Sequence, residues 1–215
     1  MGNLNWISKI LRFFVFIIII LAGWFTWSNF KPHPQRAPRS FPEPAKKYDL
    51  GKVLVIYYSA GGNTAEIAQR ISTMTNGILL EIKTNKQYPS VPMFYAKVFF
   101  ESKNKQYSEV EIPTFDLKDY DIIFIGSPVW MYTVSLPVLS FLSERDFDSK
   151  IVIPFGTQGG NSGNFFQRFA LETKNAKLAK GIAFNKVSGT EPAVLDGQIS
   201  VWLDEVEKEI AALNN

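Results

Sequence analysis

The sequence predicts an α/β fold: a five-stranded, doubly wound parallel sheet preceded by a transmembrane helix. Five short apolar segments alternate along the chain with polar or helical segments, which is typical of parallel strand–helix units. The first of them is rich in β-branched residues without alternation, as expected of a strand buried on both faces. An uncharged apolar stretch near the N-terminus, residues 13–30, predicts the membrane helix.

The N-terminal segment, residues 1–30, is predicted to anchor the chain in a membrane. Residues 13–30 carry no charge, and two further apolar residues before Arg12 bring the segment to the roughly 20 residues that a spanning helix needs. Trp24 and Trp27 lie near one end, where indole rings favour the membrane interface. A cleaved signal peptide is the alternative, although no convincing small-x-small cleavage site is present.

Residues 31–47 are predicted to be a proline-rich basic linker that leads into the folded domain, residues 48–215. Residues 1–47 hold seven of the 23 Lys/Arg residues and one of the 20 Asp/Glu residues, so the domain keeps 16 basic and 19 acidic residues. The bases that flank the apolar stretch are more numerous after it than before it. This excess predicts a single-pass cell-membrane protein whose domain is cytoplasmic. The domain shows no basic face, and we expect no nucleic-acid partner.

Composition excludes several kinds of chemistry. The chain has no cysteine, which rules out disulfides, thiol catalysis and thiolate metal sites. Its only histidine, His33, lies in the proline-rich linker. We therefore expect neither a metal site nor a histidine-based catalytic triad.

The elements of the domain follow from hydrophobic patterning. The first strand begins at Val53, and a helix with Ile67, Ala68, Ile71 and Met74 on one face follows it. Four further strands and two further helices are expected; the strands lie at 77–83, 120–126, 151–155 and 181–184, and the helices at 91–104 and 197–212.

The first strand ends in a small polar loop, residues 59–64, directly before a helix. The N–H groups of such a loop converge and the helix N-terminus adds a partial positive charge, which together favour a phosphate. The loop lacks the Gly-Lys-Ser/Thr of the Walker pattern and the three spaced glycines of the dinucleotide fingerprint. An ordinary tight turn between strand and helix is the alternative interpretation.

Two more loops are expected beside this one, because ligands of doubly wound sheets bind beyond the carboxyl ends of the strands. Residues 126–137 follow the third strand and residues 155–163 follow the fourth. Neither loop contains a charged side chain, and together they offer aromatic rings, hydroxyls, amides and glycines. This combination favours a flat, mostly apolar ring with polar edges.

The three loops together resemble those of the flavodoxin family. Residues 59–64 are similar to the Ser/Thr-x-Thr-Gly-Asn-Thr loop that holds the FMN phosphate, with Gly61 in place of the middle threonine. Residues 126–130 resemble Gly-x-Pro-x-Trp, and residues 154–160 resemble Pro-Phe-x-Thr-x-Gly-Gly. The motifs occur in family order and spacing, and the resemblance covers roughly residues 51–210. The family often has Trp-Trp-Gly-Thr where this chain has Trp-Met-Tyr-Thr, so the sequence leaves open which aromatic ring stacks on the flavin.

The resemblance implies a short-chain FMN-binding domain and assigns its contacts to the three loops. The first would hold the phosphate, the second one face of the ring, and the third the other side and the pyrimidine end. The implied cofactor-binding residues are Ser59, Ala60, Gly61, Gly62, Asn63, Thr64, Pro128, Val129, Trp130, Met131, Tyr132, Thr133, Thr157, Gln158, Gly159, Gly160 and Asn161. Uncharged, aromatic surroundings disfavour the anionic reduced ring, so we expect a low potential for the second electron. Core packing is the alternative role of Trp130 and Tyr132.

The resemblance implies an electron carrier whose partners are redox proteins or small electron acceptors, and the apolar N-terminal segment would tether this carrier to the membrane. The alternative is an FMN-dependent NAD(P)H oxidoreductase of the quinone-reductase kind, for which the sequence shows no dedicated nucleotide motif. A signalling receiver domain of the same topology would need an aspartate at the end of the third strand, where this chain has Gly126 and Ser127. No catalytic side chain is predicted.

Overall fold

The computed structural model describes residues 4–29, 39, 43–44, 46–86, 88, 93–104, 107 and 109–213. The chain divides into two compact units, one of residues 1–33 and 87–97 and one of residues 34–86 and 98–215. The first unit contains helix α1 (Leu4–Asn29) and the start of α3 (Met93–Lys103). The second contains the sheet and the remaining helices.

Helix α1 occupies the apolar N-terminal segment, as the sequence predicts. Within the part of the chain that the structure describes, no helix combines the length and the apolar character needed to cross a membrane. The structure therefore does not support the predicted membrane anchor.

The centre of the second unit is a parallel sheet. Its strands are β1 (Val53–Tyr57), β2 (Ile78–Glu81), β5 (Ile122–Trp130), β7 (Ile151–Gln158), β8 (Lys177–Leu178) and β9 (Ile182–Asn185). They are hydrogen-bonded in the order β2-β1-β5-β7-β8. Val55 of β1 pairs with Leu79 on one side and with Phe124 on the other. Because β8 and β9 both pair in parallel with β7, they share the fifth position. The predicted α/β parallel sheet is confirmed, with the doubly wound order 2-1-3-4-5.

The sheet has more strands than the five predicted, since the fifth position is split and a short β6 (Thr133–Val134) folds back on β5. The predicted strand 77–83 is also split, because β3 (Lys83–Thr84) leaves the sheet and pairs antiparallel with β4 (Val110–Glu111). Single turns of 3-10 helix lie at Leu117–Asp119 and Val187–Gly189.

One face of the sheet packs against α2 (Asn63–Thr75) and α6 (Pro192–Leu213). Every second residue of β1, including Val53 and Val55, joins this core cluster together with Ile71 and Trp202. The intervening residues of β1 are equally buried and point to the opposite face. Buried residues of α4 (Leu136–Ser143) and α5 (Phe165–Glu172) are not part of the first cluster. Helix α6 starts five residues before the predicted residue 197.

Strands β5 and β7 run further than predicted. They stay paired to Pro128 and Thr157, beyond the predicted ends at residues 126 and 155. Polar residues and a proline obscure this extension in the sequence, because they do not continue the apolar pattern. Two of the predicted loops therefore begin as paired strand and not as irregular chain.

Candidate functional site

The loop between β1 and α2 is folded around Gly62. The Ser59 hydroxyl accepts a hydrogen bond from the Gly62 N–H at 3.1 Å, and Ser59 is buried. Gly62 has φ of 89° and is the N-cap residue of α2, a left-handed conformation that favours glycine. It has no side chain to occupy the first N–H groups of the helix, which are the groups that hold anions at helix N-termini.

A pair of buried hydroxyls ties this loop to the end of β7. The Oγ1 atoms of Thr64 and Thr157 lie 2.8 Å apart, and the two residues are 1% and 5% exposed. Since two hydroxyls in one hydrogen bond use only one of their hydrogens, the other hydrogen is available to a further acceptor. The structure therefore joins the first and third predicted loops through a pair that can donate to a ligand.

The second predicted loop is the tip of a hairpin between β5 and β6. Trp130 pairs with Thr133 across it, and Met131 and Tyr132 form the two-residue turn. Their φ values are 49° and 65°, as in a type I′ turn, which usually contains asparagine or glycine. Left-handed backbone costs other residues about 1–2 kcal/mol each. The turn nevertheless presents a large ring to solvent, because Tyr132 is 65% exposed.

Trp130 has a different environment from its neighbours in the turn. It is 7% exposed and packs edge-on against Tyr58, with ring centroids 5.6 Å apart and planes at 90°. The structure thus places Trp130 in the packed interior and Tyr132 at the mouth of the site.

The two tyrosines at the end of β1 remain neutral at ordinary pH. Burial, assisted by the charge of Glu81, raises the pKa of Tyr57 to about 12. The same two causes, burial first, raise the pKa of Tyr58 further. Neither group brings charge to this edge of the sheet.

The loop after β7 holds the hairpin tip in place. The Asn164 N–H donates to the carbonyl oxygen of Tyr132 at 2.9 Å. Gly163 has φ of 53°, and a Cβ added there would lie 2.5 Å from that same oxygen. The predicted site ends at Asn161 and therefore omits Gly163 and Asn164. The Asn-Ser-Gly sequence before Asn164 favours a turn, and this signal could have identified the two residues.

A second anchor lies at the base of the hairpin, and sequence reasoning missed it. The Ser127 hydroxyl accepts the Ser135 N–H at 3.0 Å and lies 2.9 Å from the Ser135 hydroxyl. Both residues are fully buried. This contact closes the hairpin below its paired strands, and two serines eight residues apart give no recognisable sequence signal.

The residues at this edge fit a phosphate attached to a flat, uncharged ring. The backbone is open at Gly61, Gly159 and Gly160, where an added Cβ would have no neighbour within 4 Å. The Oε1 atom of Gln158 is buried and has no hydrogen-bond partner among the described residues, so it could accept a bond from a ligand. No acidic or histidine cluster suited to a metal occurs in the described part of the chain.

Comparison with known proteins gives matches to flavoproteins. A family model described as Flavodoxin matches residues 52–195. A flavoprotein from Lactobacillus acidophilus NCFM, solved in complex with FMN, is 23% identical with a TM-score of 0.56; the match covers 61% of this chain and 92% of that one. A Bacteroides eggerthii protein described as a flavoprotein is 27% identical, with a TM-score of 0.58 and coverage of 71% and 96%. A Bacteroides uniformis protein of the same description is 26% identical, with a TM-score of 0.57 and coverage of 70% and 98%. No curated protein matches the chain.

Proposed function

The chain belongs to the flavodoxin family, and we propose that it binds FMN and serves as an electron carrier. The observation that carries this proposal is the meeting of three uncharged loops at one edge of the sheet, with the Thr64–Thr157 hydroxyl pair between two of them. The similar Lactobacillus acidophilus structure, solved in complex with FMN, supports the choice of cofactor.

At one end of the site, the chain's own groups suit a phosphate. The N–H groups at the start of α2 and the spare hydrogen of the Thr64–Thr157 pair are neutral donors. No Lys or Arg lies in residues 59–64. Binding would therefore depend on fixed hydrogen bonds more than on net charge, and Ser59 fixes the loop before a ligand arrives.

At the other end, the hairpin tip suits the ring. Tyr132 offers an exposed aromatic face, and the Asn164 N–H holds its backbone. The buried Oε1 of Gln158 suits an N–H on the polar edge of the ring. Bound FMN would supply the capacity to accept and release electrons, and the protein would supply position and a medium of low polarity.

A carrier fits the described residues better than an enzyme does. The 17 predicted contact residues include no acid, lysine, arginine or histidine, and the neighbouring Tyr57 is neutral at ordinary pH because its pKa is about 12. Electron exchange through a flavin needs no proton-transfer side chain, and the sequence shows no dedicated nucleotide motif of the kind that an NAD(P)H oxidoreductase could use. Redox proteins or small acceptors would then approach at the exposed tip formed by Met131 and Tyr132.

The visible spectrum of the purified full chain tests this function. We expect a yellow protein with one FMN per chain, and an apoprotein that rebinds FMN at micromolar concentration or below. Steady-state NAD(P)H oxidation with a quinone should be negligible, and sustained turnover would favour the oxidoreductase. A colourless protein whose apoprotein does not bind FMN would overturn the proposal.

We also propose, from the sequence alone, that the apolar N-terminal segment holds the flavin domain at the cytoplasmic side of the cell membrane. The support is the uncharged stretch 13–30 and the excess of basic residues after it. The full chain should stay in the membrane fraction after a carbonate wash and keep residues 1–30. A mature N-terminus near Asn29, found by mass spectrometry, would establish a cleaved signal peptide.

A further inference from the structure

Residues that precede the sheet in the sequence form hydrogen bonds with helix α2 at two places. We call these residues, Arg39 and 46–48, the strap. At the first place Arg39 donates from Nε to the Glu66 carboxylate at 2.9 Å and from its terminal nitrogen to the Val187 carbonyl oxygen at 3.0 Å. The Glu66 side chain is fully buried, whereas that of Arg39 is 29% exposed.

The second place lies at the other end of α2. The Tyr48 N–H donates to the carbonyl oxygen of Met74 at 2.8 Å, and the Tyr48 hydroxyl donates to the Ser200 carbonyl oxygen at 2.7 Å. Lys46 is paired with Asp204 on α6. Glu66 and Met74 are eight residues apart, about 12 Å along a helix. The strap therefore holds α2 near both ends and joins it to α6.

Glu66 is the residue through which the strap reaches the phosphate end of the site. It lies in the first turn of α2, and its N–H donates to the carbonyl oxygen of Gly62 at 3.0 Å. Its carboxylate forms ion pairs with both Arg39 and Arg70. The distance from a terminal nitrogen of Arg70 to Oε1 of Glu66 is 3.3 Å. Arg70 is also fully buried and forms a second ion pair with Asp196. These four described side chains, Arg39, Arg70, Glu66 and Asp196, carry two positive and two negative charges between them.

Removing Arg39 would take one positive charge away from the Glu66 carboxylate in the first turn of α2. A buried carboxylate that loses a partner is costly, and its negative charge would oppose a phosphate bound at the N-terminus of the same helix. The effect on a ligand without a phosphate would be small, because such a ligand places no charge there.

We infer that Arg39 is a positioning residue for the cofactor phosphate, acting through Glu66 on the first turn of α2. The inference rests on the proposed binding of FMN. It also means that the basic residues of the proline-rich segment are not equivalent: Arg39 acts on the cofactor site through Glu66, whereas Lys47 forms an exposed pair with Glu43 inside the segment.

The test compares FMN with riboflavin, which lacks the phosphate, in the full chain. Arg39→Gln should raise the Kd for FMN about fivefold and the Kd for riboflavin less than about twofold, because only the phosphate senses the lost balance of charge. Lys47→Gln is the matched control, since it removes the same charge from the same segment, and it should leave both constants unchanged.

Two further variants distinguish an effect of charge on FMN binding from an effect on protein folding. Arg39→Lys keeps a cation beside Glu66 and should recover most of the preference for FMN. Arg39→Gln combined with Glu66→Gln removes both charges and should also restore the ratio of the two constants, even if the protein is less stable. Equal losses for FMN and riboflavin in Arg39→Gln, or no recovery in either rescue variant, would show that the strap is only structural. A parent chain that binds no FMN would overturn the proposed function, and this inference with it.

Discussion

At the proposed phosphate end of the site the side chains are buried and hydrogen-bonded to one another, whereas at the hairpin tip they are exposed on a left-handed backbone. Thr64 and Thr157 are nearly inaccessible and share a hydrogen bond. Met131 and Tyr132 are 37% and 65% exposed and have φ of 49° and 65°. A small anion needs donors fixed in place before it binds, while a flat ring needs a free face to lie against. The two ends of one site thus place opposite demands on the chain.

The same contrast divides two residues that are nearly adjacent. Trp130 packs against Tyr58 inside the domain, and Tyr132 points to solvent two positions later. The turn reverses the chain between the two rings, so that they have different roles. The Trp130 ring supports the hairpin, and the Tyr132 ring is available to a ligand. Four substitutions test these two contrasts.

The largest effect is expected for Trp130→Ala. Truncating a buried tryptophan removes packing and leaves a cavity, which costs about 3–5 kcal/mol of unfolding free energy. Urea unfolding of the apoprotein measures it. Tyr132→Ala is the control and should cost under about 0.5 kcal/mol, as exposed positions usually do. Similar losses for the two variants would abolish the distinction between the supporting and the exposed ring.

Gly163→Ala should loosen the hairpin tip. The left-handed backbone costs a non-glycine residue about 1–2 kcal/mol, and crowding against the Tyr132 carbonyl oxygen adds about 1–3 kcal/mol. We expect a loss of about 2–5 kcal/mol in apoprotein stability and weaker riboflavin binding. Gly159→Ala, whose added Cβ meets nothing within 4 Å, is the stability control. If both variants are equally stable, the loop does not clamp the hairpin.

Thr64→Val tests the phosphate end alone. It removes a hydroxyl from the Thr64–Thr157 pair, and the loss of FMN affinity should be about 1.5–3 kcal/mol, the cost of an unmet hydrogen bond to a charged group. Riboflavin affinity should change far less, and calorimetric titration with both ligands gives the difference. Thr64→Ser retains the hydroxyl and should bind FMN nearly as the parent does. Equal losses for both ligands would place the phosphate elsewhere.

The smallest effect is expected for Tyr132→Ala. Its ring face opposes negative charge on the reduced flavin, and aromatic contacts of this kind contribute about 0.5–1.5 kcal/mol. For a one-electron step this corresponds to an increase of about 20–65 mV in the potential of the second electron. Met131→Ala, at the same tip but without a ring, is the control. A potential within about 20 mV of the parent, with FMN still bound, would show that Tyr132 does not stack.

Sequence patterns predicted most of the sheet and the general position of the site. Strands β1, β5 and β7 each begin with an apolar run, and the composition of each strand, loop and helix start can be recognised without knowing which segments pack against it. The loop at Gly62 is predictable from the sequence because its turn and the start of helix α2 depend on adjacent residues. The uncharged character of all three loops is likewise a property of the sequence.

Features that depend on contacts between distant segments of the chain were decided by the tertiary structure. Pro128 continues a strand because β7 pairs with it, and the Met131–Tyr132 turn forms without glycine because the Asn164 N–H and the hairpin strands hold it. Arg39 meets Glu66 across 27 positions and Val187 across 148, separations over which no local pattern carries information. Burial and ion pairing are set by which segments pack together. The sequence therefore placed Trp130 and Tyr132 in one loop, and only the packing of β1 and of the loop after β7 made one of them interior and the other exposed.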